Sequence, residues 1–181
     1  MNLPNKITMA RFLLIPVFVV LYITMDSSSP LPLIVFALAS FTDFLDGAIA
    51  RKYRLVTTFG KFMDPLVDKI LTIAAFVLLV QSGDISGWIV IIIIARELVI
   101  TGFRTIAASN GVTIAASSWG KFKTNAQMFT ILYFLAEDNL LAKVKMPWLE
   151  TGLLYLALAL TIISGLDYII RNLHVLDLEN I

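Results

Sequence analysis

Cysteine is absent from this 181-residue chain, and histidine occurs once, at His174. The first absence excludes disulfides, thiolate catalysis and cysteine-ligated zinc. A single histidine excludes a histidine metal cage, and His174 reads as an interface residue following the last helix, which leaves none for a Ser-His-Asp triad. Charge is also scarce. Asp, Glu, Lys and Arg make up 15% of the residues, well below the about 25% of an ordinary soluble domain. The net charge of +1 leaves no basic field for nucleic acid, and none is expected as a partner. Internal repeats and low-complexity tracts are missing too, so residues 1–181 read as a single domain.

What the chain does have is apolar length. Hydrophobic residues account for 59% of it, and the mean hydropathy of +0.87 places it in the membrane class. A spanning helix needs about 20 mainly apolar residues. Six candidate runs appear, at 7–25, 32–50, 62–80, 85–107, 121–135 and 148–170, the fifth with a short apolar part. They predict an all-α polytopic membrane protein with six transmembrane helices. Asp26 to Pro30, Gln81 to Asp84 and Asn110-Gly111 carry turn chemistry between the runs. Pro16 predicts a kink in the first helix, and Arg11 is expected to snorkel toward the headgroups. The opening residues lack the ordered parts of a cleavable signal, so the first helix is expected to be retained. Trp88, Trp119 and Trp148 suit headgroup-level belts.

Basic residues predict the orientation. Lys6 and Arg11 open the first helix; Arg51, Lys52, Arg54 and Lys61 lie between the second and third. Arg104, Lys121 and Lys123 lie between the fourth and fifth, and Arg171 ends the sixth. In a six-helix path all of these share one side. The other side holds Asp26, Asp84, Glu137 and Asp138, with only Lys143 and Lys145 against the trend. Both termini are therefore expected in the cytoplasm of a cell, with the protein in the cytoplasmic membrane.

Four aspartates crowd the cytoplasmic end of the second and third helices. Asp43, Asp46, Gly47 and Ala50 follow i, i+3, i+4, i+7, one helical face; Gly60, Asp64 and Asp68 follow i, i+4, i+8, another. Ionisable groups in membrane segments are expensive and point to function. One such aspartate reads as a solvated helix end; four on two stripes do not. The small residues Gly47, Ala50 and Gly60 allow close approach of a helix or a ligand. Pro65 fits if the third helix starts shortly before it. Carboxylates without His or Cys favour hard cations such as Mg²⁺, Mn²⁺ or Ca²⁺. Four of them suit two ions and a diphosphate, with Arg51, Lys52, Arg54 and Lys61 as further phosphate contacts.

The pattern Asp43-x-x-Asp46-Gly47-x-x-Ala50-Arg51, eight residues, then Gly60-x-x-x-Asp64-x-x-x-Asp68 resembles the signature of the CDP-alcohol phosphatidyltransferases at every fixed position. The resemblance implies transfer of a phospho-group from a CDP-linked donor to an alcohol, with release of CMP, in a cytoplasm-facing active-site cavity. It implies two Mg²⁺ or Mn²⁺ ions on Asp43, Asp46, Asp64 and Asp68, with Asp68 also the general base. It implies donor contacts from Asp46, Gly47, Ala50, Arg51, Thr57, Gly60, Lys61 and Asp64, and a homodimer.

A second polar patch lies on the fourth helix. Arg96 is eight residues past Trp88, about 12 Å along the axis, too deep for a flanking charge. Arg96 and Glu97 are adjacent and are expected to point apart, whereas Glu97 and Arg104 roughly share a face. With Lys121 and Lys123, the arginines Arg96 and Arg104 form a candidate anion pocket. The runs ARELVITGFR and GKFKT, with Pro4 to Arg11, resemble the branch of the family whose donor is CDP-diacylglycerol and whose acceptor is sn-glycerol 3-phosphate. Inositol phosphate, serine or phosphatidylglycerol as acceptor are the alternatives within the family. A divalent-cation transporter is the alternative from another class, but it calls for acidic residues along a path across the bilayer rather than at one end. Asp167, in the sixth helix, reads as a packing residue.

Overall fold

The computed structural model describes residues 2–53, 58–109, 111–112, 114, 117–137, 139–141 and 146–173, without the side chains at 3–4, 44–53, 58–59 and 61–62. Six α-helices and no strand occur among the described residues: α1 Leu3–Thr24, α2 Leu31–Tyr53, α3 Thr58–Gln81, α4 Gly87–Ser109, α5 Ser118–Glu137 and α6 Pro147–Asn172. Each expected run is found as a helix. His174 lies outside the described residues, as do Arg54, Thr57, Asn110, Asp138, Lys143 and Lys145.

The ends differ from expectation for local reasons. α1 begins four residues early, because Asn2 caps it: its Oδ1 accepts from the Asn5 N–H at 3.1 Å, and a proline follows in the first turn. The helix continues through Pro16. α3 begins at Thr58 rather than just before Pro65, which therefore sits inside the helix. A proline there removes the N–H that would bond the carbonyl four residues back, so the helix loses one rung beside Asp64. Gly83 ends α3 in a turn at φ +90°, a conformation that glycine adopts without strain.

α1 and α6 are long and apolar enough to cross a membrane, over Asn5–Thr24 and Pro147–Asn172. The apolar part of α2 is shorter, Leu31–Asp43. α3 and α4 break their apolar runs with Asp64, Asp68 and Lys69, and with Arg96, Glu97 and Arg104. All three tryptophans are exposed.

The helices form two compact units. The first comprises Met1–Asp84 and Ile131–Lys145. Its core runs from Ile15 and Phe18 of α1 through Phe36 and Ala39 of α2 to Val67, Leu71 and Ala75 on one stripe of α3, all buried. The Phe18 and Phe36 rings pack tilted at 5.5 Å, a geometry that contributes about 0.5–1.5 kcal/mol beyond burial. The second unit comprises Ile85–Thr130 and Met146–Ile181. Its core joins Ile100, Phe103 and Ala107 of α4 to Tyr168 of α6. Phe103 meets Tyr168 edge-on at 5.9 Å.

Candidate active site

The buried face of α1 changes character along its length. Ile15 and Phe18 are apolar, but the earlier positions Asn5, Thr8 and Arg11 are polar and equally buried. A buried arginine needs a partner, and Arg11 finds two among the described residues. Its Nη1 donates to Asp43 Oδ1 at 2.6 Å, and its Nε donates to Thr42 Oγ1 at 3.3 Å. Thr42 in turn donates to the Ala39 carbonyl at 2.7 Å, which fixes the hydroxyl's lone pairs toward the guanidinium. One turn earlier, Thr8 Oγ1 donates to Asp64 Oδ1 at 2.7 Å. Asp43 of α2 and Asp64 of α3 are therefore both held by one face of α1.

This corrects the expectation for Arg11. It does not snorkel; it is 0% exposed and paired, whereas the Asp43 side chain remains 41% exposed. The reason is tertiary. α2 and α3 bring carboxylates to this end of the unit, and a cation beside them is better solvated there than at a headgroup. The signal was present as Asn5, Thr8 and Arg11 at spacings of three, a polar stripe within an apolar run.

Asp68 lies one turn beyond Asp64 on α3 and is half-buried, and its carbonyl accepts from Thr72 Oγ1 at 3.0 Å. Gly60 is buried. Asp46, Gly47, Ala50, Arg51 and Lys61 fall on α2 and α3, but their side chains lie outside the described residues, as does the whole of Thr57. Among the described residues, no three Asp, Glu or His side chains gather to hold a metal ion. The donor chemistry of the motif nevertheless fits a hard cation. Asp43 and Asp64 are each gripped through Oδ1, a carboxylate has a second oxygen, and outer partners of this kind orient metal ligands.

The second unit buries a charge cluster. Glu97 stands in the apolar stripe of α4, between Ile93 and Ile100. Its Oε1 accepts from Arg96 Nη1 at 3.1 Å and from Nζ of the buried Lys123 on α5. Adjacent residues do diverge by about 100° at Cβ, but these two long side chains curl back to meet, contrary to expectation. Arg96 Nη2 donates to Ser164 Oγ of α6 at 3.1 Å, and its Nε is buried without a partner among the described residues. Among the described residues, two cations share this one carboxylate. Arg104 is exposed, donates from Nε to the Tyr168 hydroxyl at 3.1 Å and lies 5.2 Å from that ring's centroid. Lys121 is exposed.

Asp167 is not simply packed: its Oδ1 accepts from Arg171 Nε at 2.6 Å, while its Oδ2 is buried without a partner among the described residues. A cavity of about 300 Å³ lies at the other end of the first unit, lined in part by Tyr22, Asp26, Ser82 and Asp84. It carries none of the expected site residues.

The CDP-alcohol phosphatidyltransferase family model matches residues 1–163. A relative from Bacillus subtilis (strain 168), named CDP-diacylglycerol--glycerol-3-phosphate 3-phosphatidyltransferase, is 40% identical over 192 residues, covering 99% of each chain. Relatives of the same name include one from Haemophilus influenzae, 39% identical over 93% of this chain and 91% of its own. Another, from Rickettsia typhi, is 38% identical over 92% of this chain and 94% of its own. With its aspartate pattern intact and its similarity running nearly end to end, this chain is an enzyme of the CDP-alcohol phosphatidyltransferase family.

Proposed function

We propose that this chain transfers the phosphatidyl group of CDP-diacylglycerol to sn-glycerol 3-phosphate, yielding phosphatidylglycerol phosphate and CMP. The observation that carries the reading is the joint hold of α1 on two motif carboxylates from different helices, Asp43 through Arg11 and Asp64 through Thr8. The names of the relatives support the choice of donor and acceptor.

Asp43, Asp46, Asp64 and Asp68 would hold two Mg²⁺ or Mn²⁺ ions, which when bound supply charge neutralisation to a diphosphate and its departing phosphate. Arg11 and Thr8 hold Asp43 and Asp64 in place, so little reorganisation is left for the reaction itself. Gly47, Ala50, Arg51, Thr57, Gly60 and Lys61 receive the CDP part. Asp68 takes the proton from the C1 hydroxyl of the acceptor. That oxygen forms a bond to the diacylglycerol-linked phosphorus while the bond from this phosphorus to the CMP oxygen breaks. A well-placed general base contributes about 10²–10⁴-fold.

The cluster on Glu97 serves the acceptor. Arg96 foremost recognises the acceptor's phosphate, and Arg104, Lys121 and Lys123 add to the field. The helices act as one membrane domain of six spans in a homodimer, with both termini and the aspartates on the cytoplasmic side. The basic residues at that end of the predicted spans support this orientation.

Purified protein in detergent with labelled CDP-diacylglycerol, offered sn-glycerol 3-phosphate, inositol phosphate, serine or phosphatidylglycerol in turn, tests the reading. Labelled phosphatidylglycerol phosphate with the first acceptor alone is the expected result. Preference for any other acceptor overturns it.

A further inference from the structure

α6 presents four buried positions on one face: Thr161, Ser164, Gly165 and Tyr168. Each is matched to a polar side chain of the second unit. Thr161 Oγ1 accepts from Gln127 Nε2 at 3.0 Å, and Tyr168 accepts from Arg104. Ser164 and Gly165 both meet Arg96. Ser164 Oγ donates to the Thr161 carbonyl at 3.1 Å, which leaves its lone pairs to accept from Arg96 Nη2. Gly165 lies against the stem of the same arginine. A Cβ at this position would stand 3.0 Å from Arg96 Cγ and 3.6 Å from its Nε. The first distance is tighter than an ordinary carbon–carbon contact, so an added Cβ pushes the arginine stem aside by a few tenths of an ångström.

Arg96 is thus located from three sides. Glu97 takes Nη1, Ser164 takes Nη2, and the bare backbone at Gly165 lets the stem lie flat against α6. The guanidinium is planar and directional, so its orientation decides which oxygens of a phosphate it can reach. We propose that Ser164 and Gly165 are positioning residues for the acceptor: they seat Arg96 in the orientation that binds the phosphate of sn-glycerol 3-phosphate. The proposal rests on the reading of Arg96 as an acceptor contact.

Steady-state kinetics of the full-length protein, with each substrate varied separately, test it in G165A, S164A, R96A and the double variant R96A/G165A. G165A is expected to raise the acceptor KM about five- to tenfold and S164A about threefold, with kcat and donor KM within about twofold of the parent. In the R96A background, adding G165A is expected to change the acceptor KM no further, as it must when one residue acts through another. G152A, on the same helix with nothing within 4 Å of an added Cβ, is expected to match the parent. A raised acceptor KM in R96A beside parental values in both G165A and S164A overturns the seat while leaving the phosphate contact standing. An unmoved acceptor KM in R96A overturns the contact and the seat together. Thermal unfolding of each variant is measured alongside. If G165A is too unstable to assay, S164A, which removes one oxygen and adds no bulk, decides alone.

Discussion

The bond from Thr8 to Asp64 isolates the contribution of α1 in a single hydroxyl. Thr8→Val keeps the shape of a side chain that is 1% exposed and removes the 2.7 Å donor to Asp64 Oδ1. A hydrogen bond to a charged group contributes about 1.5–3 kcal/mol. Asp64 is only half-buried, so water recovers part of that, and the low end applies. About 1.4 kcal/mol corresponds to tenfold in an equilibrium constant, and loss of an outer partner typically weakens a metal site about 10–100-fold. The expected result is therefore an approximately tenfold higher Mn²⁺ concentration for half-maximal activity. A matching rise is expected in the dissociation constant read from free Mn²⁺ by electron paramagnetic resonance. Thr8→Ser keeps the hydroxyl and should stay within about twofold of the parent. Parental Mn²⁺ binding in Thr8→Val would refute the claim that α1 orders the carboxylates.

Arg11→Ala leaves Asp43 without its guanidinium. Breaking a wholly buried pair costs about 3–5 kcal/mol, and with Asp43 partly open to water a loss of about 2 kcal/mol is expected, read as a lower unfolding temperature in detergent; an unchanged midpoint would sink the assignment. Arg11→Lys keeps the charge without the planar fork and should fall between the two. Asp68→Asn should lower kcat about 10²–10⁴-fold while shifting the donor KM little; equal losses in both would count against Asp68 as the base. Chelation with EDTA should abolish turnover while the far-ultraviolet helix signal persists, and excess Mg²⁺ should restore it. Full activity in chelator contradicts the metal reading.

The helices were legible because their boundaries have chemistry: a serine-rich loop before Pro30, a glycine turn at Gly83, and apolar runs between. The ends were less so. Asn2 and Pro4 announced the early start of α1, but the apolar period begins only at Ile7. The start of α3 was less plain because its apolar run begins only at Phe62, although Gly60, on the stripe of Asp64 and Asp68, lies buried within the helix. The motif aspartates could be read from spacing, since spacing along a helix is local. Their partners could not. Whether Arg11 meets lipid or a carboxylate depends on which helix packs across from it; the stripe of Asn5, Thr8 and Arg11 marks a polar face but does not name its partner. The meeting of Arg96 with Glu97 failed for a related reason: backbone direction is regular, but long side chains bend. Ser164 and Gly165 carry no charge and follow no motif, so only their contact with Arg96 draws attention to them.

The guanidinium at Asp43 has one more implication, for how the protein is made. An arginine cannot shed its proton in a protein, so this corner of the helix bundle carries a permanent counter-charge from the moment it assembles. Repulsion between the acidic tips is damped in advance, and the scaffold can mature on its own. On the proposed two-ion reading, cation supply then governs when the enzyme works, not whether it is built.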